Sequence, residues 1–142
     1  MSQWRRKAFT LVEILIVVVI LGILAAIVTP QFANSADESR INTTSYELTR
    51  LRNALEVYYS TVGGFPNITA GDGTWGELVG SGDFLSTAPA NTWVGGDNRR
   101  VIALDSTPDT GFQTSHGWIF DGFTGRVWAG GFDGSDRPFP KP

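Results

Sequence analysis

From Phe9 to Val28 nearly every position is apolar, and the one ionisable side chain among them is Glu13. At 1.5 Å per residue, a helix over this run measures roughly 30 Å, the depth of a bilayer's hydrocarbon core. Pro30 follows. Its ring removes a backbone donor and crowds the preceding turn, which predicts a kink or local melting near residues 26–30. Beyond it the apolar positions narrow to one stripe. Ile41, Leu48, Leu51, Leu55, Tyr58 and Val62 recur at spacings of three, four and seven, the period of an amphipathic helix. Arg40, Glu47, Arg50, Arg52 and Glu56 fall mostly off the stripe, and Glu47 is placed to pair with Arg50 at i,i+3. Gly63-Gly64 ends the pattern, with Pro66 behind it. Together these signals predict one helix of about fifty residues, its first half suited to lipid and its second to packing against a folded head.

Past the helix the periodicity changes. Residues 65–96 are rich in Gly, Thr, Asn and Asp with isolated large apolar residues, a loop whose best helical turn is Thr74 to Val79. Three strand-like runs follow: Arg100 to Leu104, Gly117 to Phe120 and Arg126 to Ala129. The short Gly-bearing loop Asp121 to Gly125 between the last two is a hairpin signal. Three antiparallel strands need a hydrophobic backing, and the stripe on the helix supplies one. Residues 130–142, rich in Pro and Gly, read as an irregular strap, and no internal repeat is visible. The predicted fold is α+β: a long N-terminal helix, its first half transmembrane, packed on a small antiparallel sheet. Its segments are a leader over 1–8, a membrane half over 9–30, an amphipathic half over 31–62 and a head over 63–142.

The charge balance sharpens this. The formal charge is −3, but Arg5, Arg6 and Lys7 hold three of the eleven cations. Without the leader, eight cations face fourteen acids, so the remainder carries about −6. No nucleic-acid partner is expected of such a surface, since phosphate contacts need clustered Lys and Arg. The leader cations favour retention of that end on the cytoplasmic side. With no cysteines, the chain has no disulfide framework, thiol nucleophile or Cys-based metal site.

Ala8, then Phe9-Thr10-Leu11-Val12-Glu13, then an Ile-, Val- and Leu-rich run reaching Pro30, resembles the N-terminal signature of type IV prepilins and type II secretion pseudopilins. The resemblance covers about the first thirty residues. It implies that a prepilin peptidase/methyltransferase cuts between Ala8 and Phe9 and methylates the new Phe9 amine. Gly is the usual residue before the cut; Ala8 keeps a small side chain there, so processing is expected. Glu13 and Pro30 match the family's acidic and proline positions and are the expected assembly residues. The implied fold is pilin-like. The implied function is a structural subunit of a type IV pilus or type II secretion pseudopilus: a single-pass protein of the bacterial inner membrane, its head periplasmic or extracellular. Its partners would be copies of itself in a helical filament, the inner-membrane assembly platform and minor pilins. The presence of Glu13 argues against the tip-type minor pseudopilin, and the short, cysteine-free head suits a major-pseudopilin-like subunit.

Each candidate has a plainer reading beside it. A carboxylate one turn inside a membrane segment calls for a partner. Glu13 either snorkels back to water or pairs with a cation, which after cleavage is the Phe9 amine, of a neighbouring subunit or of the same chain before assembly. Pro30 marks either a membrane boundary or a point of adaptation in a filament. Gly22, Ala25 and Ala26 permit close helix approach but are common in any membrane helix. His116 stands alone and reads as a satisfied or solvent-facing histidine, since no second His exists for a zinc site or acid–base pair. The serines lack a nucleophile elbow, and Gly71-Asp72-Gly73 and Gly80-Ser81-Gly82 are turns without a phosphate loop's Lys. No catalytic residues and no enzyme activity are expected. Asp121, Asp133 and Asp136 are the only calcium candidates: the resemblance implies a calcium site in the C-terminal loop of major pseudopilins, while two turn-forming aspartates are the plainer reading of Asp133 and Asp136. Trp75, Trp93, Trp118 and Trp128 read as head core rather than a sugar platform. The rival function is an exported or signal-anchored soluble binding domain. Ala33-Asn34-Ser35 fits a conventional signal-peptidase site that would free a domain starting at Ala36.

Overall fold

The computed structural model describes residues 9–142, so the expected leader over 1–8 lies outside the described residues. Helix α1 runs from Leu11 to Val62. It contributes to two compact units, one of residues up to Asp37 and one of Glu38–Pro142.

In the first unit α1 is helical through residues 26–30, as one long helix requires, so of the kink or local melting expected near Pro30 the backbone shows no melting. One missing donor removes one i to i−4 bond, and the turns on either side keep theirs. Thr29 Oγ1 also donates to the Ala25 carbonyl at 2.7 Å. Every large apolar side chain from Phe9 to Val28 is exposed. Such a surface is unsuited to water and suited to lipid or to other helices.

In the second unit α1 buries Thr44, Leu48, Leu51, Ala54, Leu55 and Tyr58. The predicted stripe holds at Leu48, Leu51, Leu55 and Tyr58. Val62 departs from it and is exposed, because the chain turns away at once. Gly63 adopts φ +82 and donates to the Tyr59 carbonyl at 2.9 Å, a left-handed C-terminal cap that only Gly adopts without strain.

The sheet comprises β1 (Ile102–Leu104), β2 (Trp118–Phe120) and β3 (Val127–Ala129) in the order β1-β2-β3. All three lie within the predicted runs. A four-residue helix α2, Glu77–Gly80, overlaps the second half of the predicted turn, and a 3-10 turn at Asp97–Arg100 leads into β1. The pilin-like α+β architecture stands, but the sheet is mixed rather than antiparallel. β2 and β3 are antiparallel across the predicted hairpin, whereas β1 and β2 are parallel. Parallel pairing requires a connection of a dozen or more residues. Residues 105–117 supply that length, and no two-residue turn forces the chain back on itself.

Ile102, Trp118, Phe120, Val127 and Ala129 share one core with the buried face of α1. Trp75 and Leu78 join it fully buried, and Trp75 meets Phe120 edge-on at 5.8 Å. Trp75 has φ +60, a conformation costing a non-glycine residue about 1–2 kcal/mol; burial of the whole indole offsets it. Each edge strand accepts a hydrogen bond from outside the sheet, which limits its pairing with other chains. Gly71 donates to the Ile102 carbonyl at 2.8 Å, and Arg52 Nη2 donates to that of Val127 at 3.0 Å.

Candidate functional site

The head of α1 is built by two polar residues on an otherwise apolar stretch. The first N–H groups of any helix lack intrahelical acceptors. Here Thr10 precedes the first helical residue, Leu11, and Glu13 sits three positions on. The Glu13 N–H donates to Thr10 Oγ1 at 3.2 Å, while the Thr10 N–H donates back to Glu13 Oε2 at 2.8 Å. Thr10 Oγ1 also donates to that carboxylate oxygen at 3.0 Å. This is a reciprocal capping box. The Thr-x-x-Glu spacing that encodes it stands in the sequence, where Glu13 reads as a lone membrane carboxylate and Thr10 has no role of its own. All the hydrogen bonds the carboxylate makes among the described residues use Oε2, at the edge of an apolar recess of about 330 Å³ lined by Phe9, Ile14, Ile16 and Val17. Ala8 lies outside the described residues. The backbone at Pro30 is helical.

The head holds the remaining candidates in separate settings. The structure does not bring Asp121, Asp133 and Asp136 together, and among the described residues no three or more His, Cys, Asp or Glu form a metal-binding group. Asp121 closes the hairpin loop, accepting from the N–H of Phe123 at 2.9 Å and from Thr124 Oγ1 at 2.5 Å. The Thr124 hydroxyl, then the Phe123 amide, hold its carboxyl below the ordinary carboxylate range. Asp133 is held low first by the backbone N–H of Arg137. Asp136 pairs with Arg52 at 2.6 Å. His116 Nε2 stands 3.2 Å from Asp109, and its Nδ1 stands 3.0 Å from Ser115 Oγ. That row locks a loop: Ser115 Oγ also bonds Gln113 Oε1 at 2.9 Å, and Asp109 accepts from the Gly131 N–H at 2.8 Å. Trp75, Trp93, Trp118 and Trp128 are all buried, as a core reading requires.

The family described as the prokaryotic N-terminal methylation motif matches residues 5–29, the stretch that carries Thr10, Glu13 and the exposed apolar helix. Over 113 residues the chain is 30% identical to the type IV narrow pilus major component PilA5 of Thermus thermophilus, covering 80% of this chain and 90% of that protein. The chain belongs to the type IV pilin and pseudopilin family. This pilin-family chain is also 40% identical over 58 residues to the type II secretion system core protein G of Pseudomonas aeruginosa, 41% of each chain. It is 45% identical over 51 residues to the type IV major fimbrial protein FimA of Dichelobacter nodosus, 36% of this chain and 33% of that one. No solved structure matches it.

In a pilin-family subunit the capping box has a direct chemical consequence. The carboxylate is fixed at the start of the helix, where the partial positive charge of the helix terminus favours an anion. The apolar residues around it provide a membrane anchor and, once subunits meet, a surface for helix–helix contact. The subunit is a structural filament component of the pilus or pseudopilus kind.

Proposed function

We propose that this chain is a major-type filament subunit, held in the inner membrane by α1 with its head on the outer side. Prepilin peptidase cuts before Phe9 and methylates the new amine, and the assembly platform, with minor pilins, then draws the subunit into a helical filament. The capped Thr10–Glu13 pair at the start of an exposed apolar helix carries this reading. In it Glu13 serves two partners in turn. Oε2 caps its own helix, and the carboxylate then meets the Phe9 amine of a neighbouring subunit, a pairing that sets register because a desolvated charge without its partner is penalised.

The type IV pilus is the form we favour, since the likeness to PilA5 extends over 90% of that protein whereas the likeness to protein G covers 41% of it. The rival signal-peptidase site, Ala33-Asn34-Ser35, lies inside α1, where the backbone is not extended for cleavage. Intact mass and N-terminal sequencing of protein recovered from membranes test the reading. A chain starting at methylated Phe9 is expected; a soluble chain starting at Ala36 overturns it. Glu13→Ala is expected to remain in the membrane and fail to enter filaments.

A further inference from the structure

The sequence offers Asp121, Asp133 and Asp136 as donors for the calcium that the pseudopilin resemblance implies, and the chemistry of that donor set does not fit. Calcium takes six to eight oxygens at about 2.3–2.6 Å. Both oxygens of Asp136 accept from Arg52 instead, at 2.6 and 2.9 Å. Oδ1 of Asp133 accepts from the N–H groups of Ser135 and Arg137 at 2.8 and 3.0 Å, and Oδ2 accepts from Arg137 Nε at 3.0 Å. Asp121 is committed to its own hairpin loop. Two guanidinium charges therefore stand against the carboxylates that a divalent ion would need, and they repel it.

We propose that the C-terminal segment, residues 130–142, is a metal-free clasp closed by Arg52 and Arg137, and that the head folds and holds this segment without calcium. Arg52 is the cross-link. From α1 its Nε and Nη2 donate to the Val127 carbonyl of β3 at 3.3 and 3.0 Å, while Nη1 and Nη2 grip Asp136. One planar fork thus joins helix, sheet and tail, a geometry a lysine ammonium does not reproduce. The tail is shaped to meet it. Asp136 adopts φ +61, a left-handed conformation that Asp tolerates better than most residues. It is held there by its N–H on the Asp133 carbonyl at 3.1 Å, while the Asp133 N–H bonds the Arg137 carbonyl at 2.8 Å. Phe139 donates to the Gly131 carbonyl at 2.9 Å, and Lys141 Nζ lies 4.1 Å from the centre of the Trp93 ring, a cation–π contact. The inference stands apart from the filament reading, since it concerns what closes the head.

The test uses the full chain in detergent micelles, with two readouts. Thermal unfolding is followed with EDTA and with added calcium chloride, and amide exchange is mapped over 130–142. The wild type is expected to melt at the same temperature in both conditions. Arg52→Gln is expected to melt several degrees lower and to exchange at least tenfold faster at Asp133 and Phe139, with Arg52→Lys between the two. Asp136→Asn, which leaves the Arg52 contact to Val127 in place, is expected to loosen the same amides if Arg52→Gln does not fold. A wild-type midpoint that falls in EDTA or rises with calcium overturns the proposal. So does an Asp136→Asn protein that melts and exchanges like the wild type.

Discussion

Asn91 is fully buried and uses every polar atom it has. Its Nδ2 donates to the carbonyls of Gly117 and Gly130, both at 2.8 Å. Its Oδ1 accepts from the N–H groups of Trp93 and Val94 and from Thr44 Oγ1 on α1. One side chain thus ties the long loop to the helix and to the ends of β2 and β3. The two glycines are required there: a Cβ on Gly117 would collide with the Arg99 carbonyl, and one on Gly130 with the His116 carbonyl. Removing the Asn91 amide strands several buried backbone groups, each worth about 1–3 kcal/mol when left unsatisfied. Asn91→Ala is therefore expected to destabilise the head by about 3–5 kcal/mol, at the severe end for one substitution. Denaturant unfolding followed by tryptophan fluorescence measures this, and a loss below about 1 kcal/mol contradicts the hub role. Nothing in the local sequence Pro89-Ala90-Asn91-Thr92 marks the residue. Its partners become neighbours only after the chain has folded.

At the scale of elements, α1 carries two surfaces whose roles follow from what each meets. Leu51 is fully buried at the centre of the core face, whereas Val62 at the helix end is 58% exposed. The periodic stripe alone treats them as equals. Leu51→Ala leaves a cavity and is expected to cost about 2–5 kcal/mol, while Val62→Ala is expected to stay within about 0.5 kcal/mol. Comparing the two in one denaturant series separates core from stripe. The predicted Glu47–Arg50 pair is present at 3.4 Å, and Arg50 Nη2 reaches further, to the Thr87 carbonyl at 2.8 Å. The hairpin between β2 and β3 was legible because Asp121 to Gly125 is a local signal. The parallel pairing of β1 with β2 was not, because strand direction after a connection as long as residues 105–117 is settled by packing.

For the whole molecule, acid sensitivity follows from aspartates at or near the surface held low by hydrogen bonds. Asp105 is lowered first by the Thr107 hydroxyl, Asp121 by that of Thr124, and Asp133 by the Arg137 amide. A carboxyl whose folded value is depressed stabilises the fold above its ordinary value, 3.8 for Asp. That stabilisation disappears as pH falls below 3.8 through the folded values. The melting temperature is expected to be level from neutral pH to the ordinary carboxylate range and to fall beneath it. Asp121→Asn is expected to flatten part of that fall, by a small amount because the group is only half-buried and solvent screens it. Tyr58 acts at the other limit. Its phenol donates to Glu77 and is raised from 10.0 chiefly by that bond, so its contribution is lost as pH climbs past 10.0.

The sequence by itself determined the apolar run and its bilayer length, the Phe9–Glu13 signature, the amphipathic stripe, the glycine helix end and the hairpin. Each is encoded by neighbours within a few turns, so a local pattern suffices to read it. The Thr10–Glu13 capping box belongs with them, since its spacing was there to be read. Only the tertiary structure decided that β1 runs parallel to β2, that Asn91 is a hub and that Asp136 serves Arg52 rather than a metal. The Arg52 and Asp136 positions lie 84 residues apart, and many other arginines and aspartates share their composition. Which of them meet is settled by the packing of helix, sheet and tail around one core, and no window of the chain contains that information.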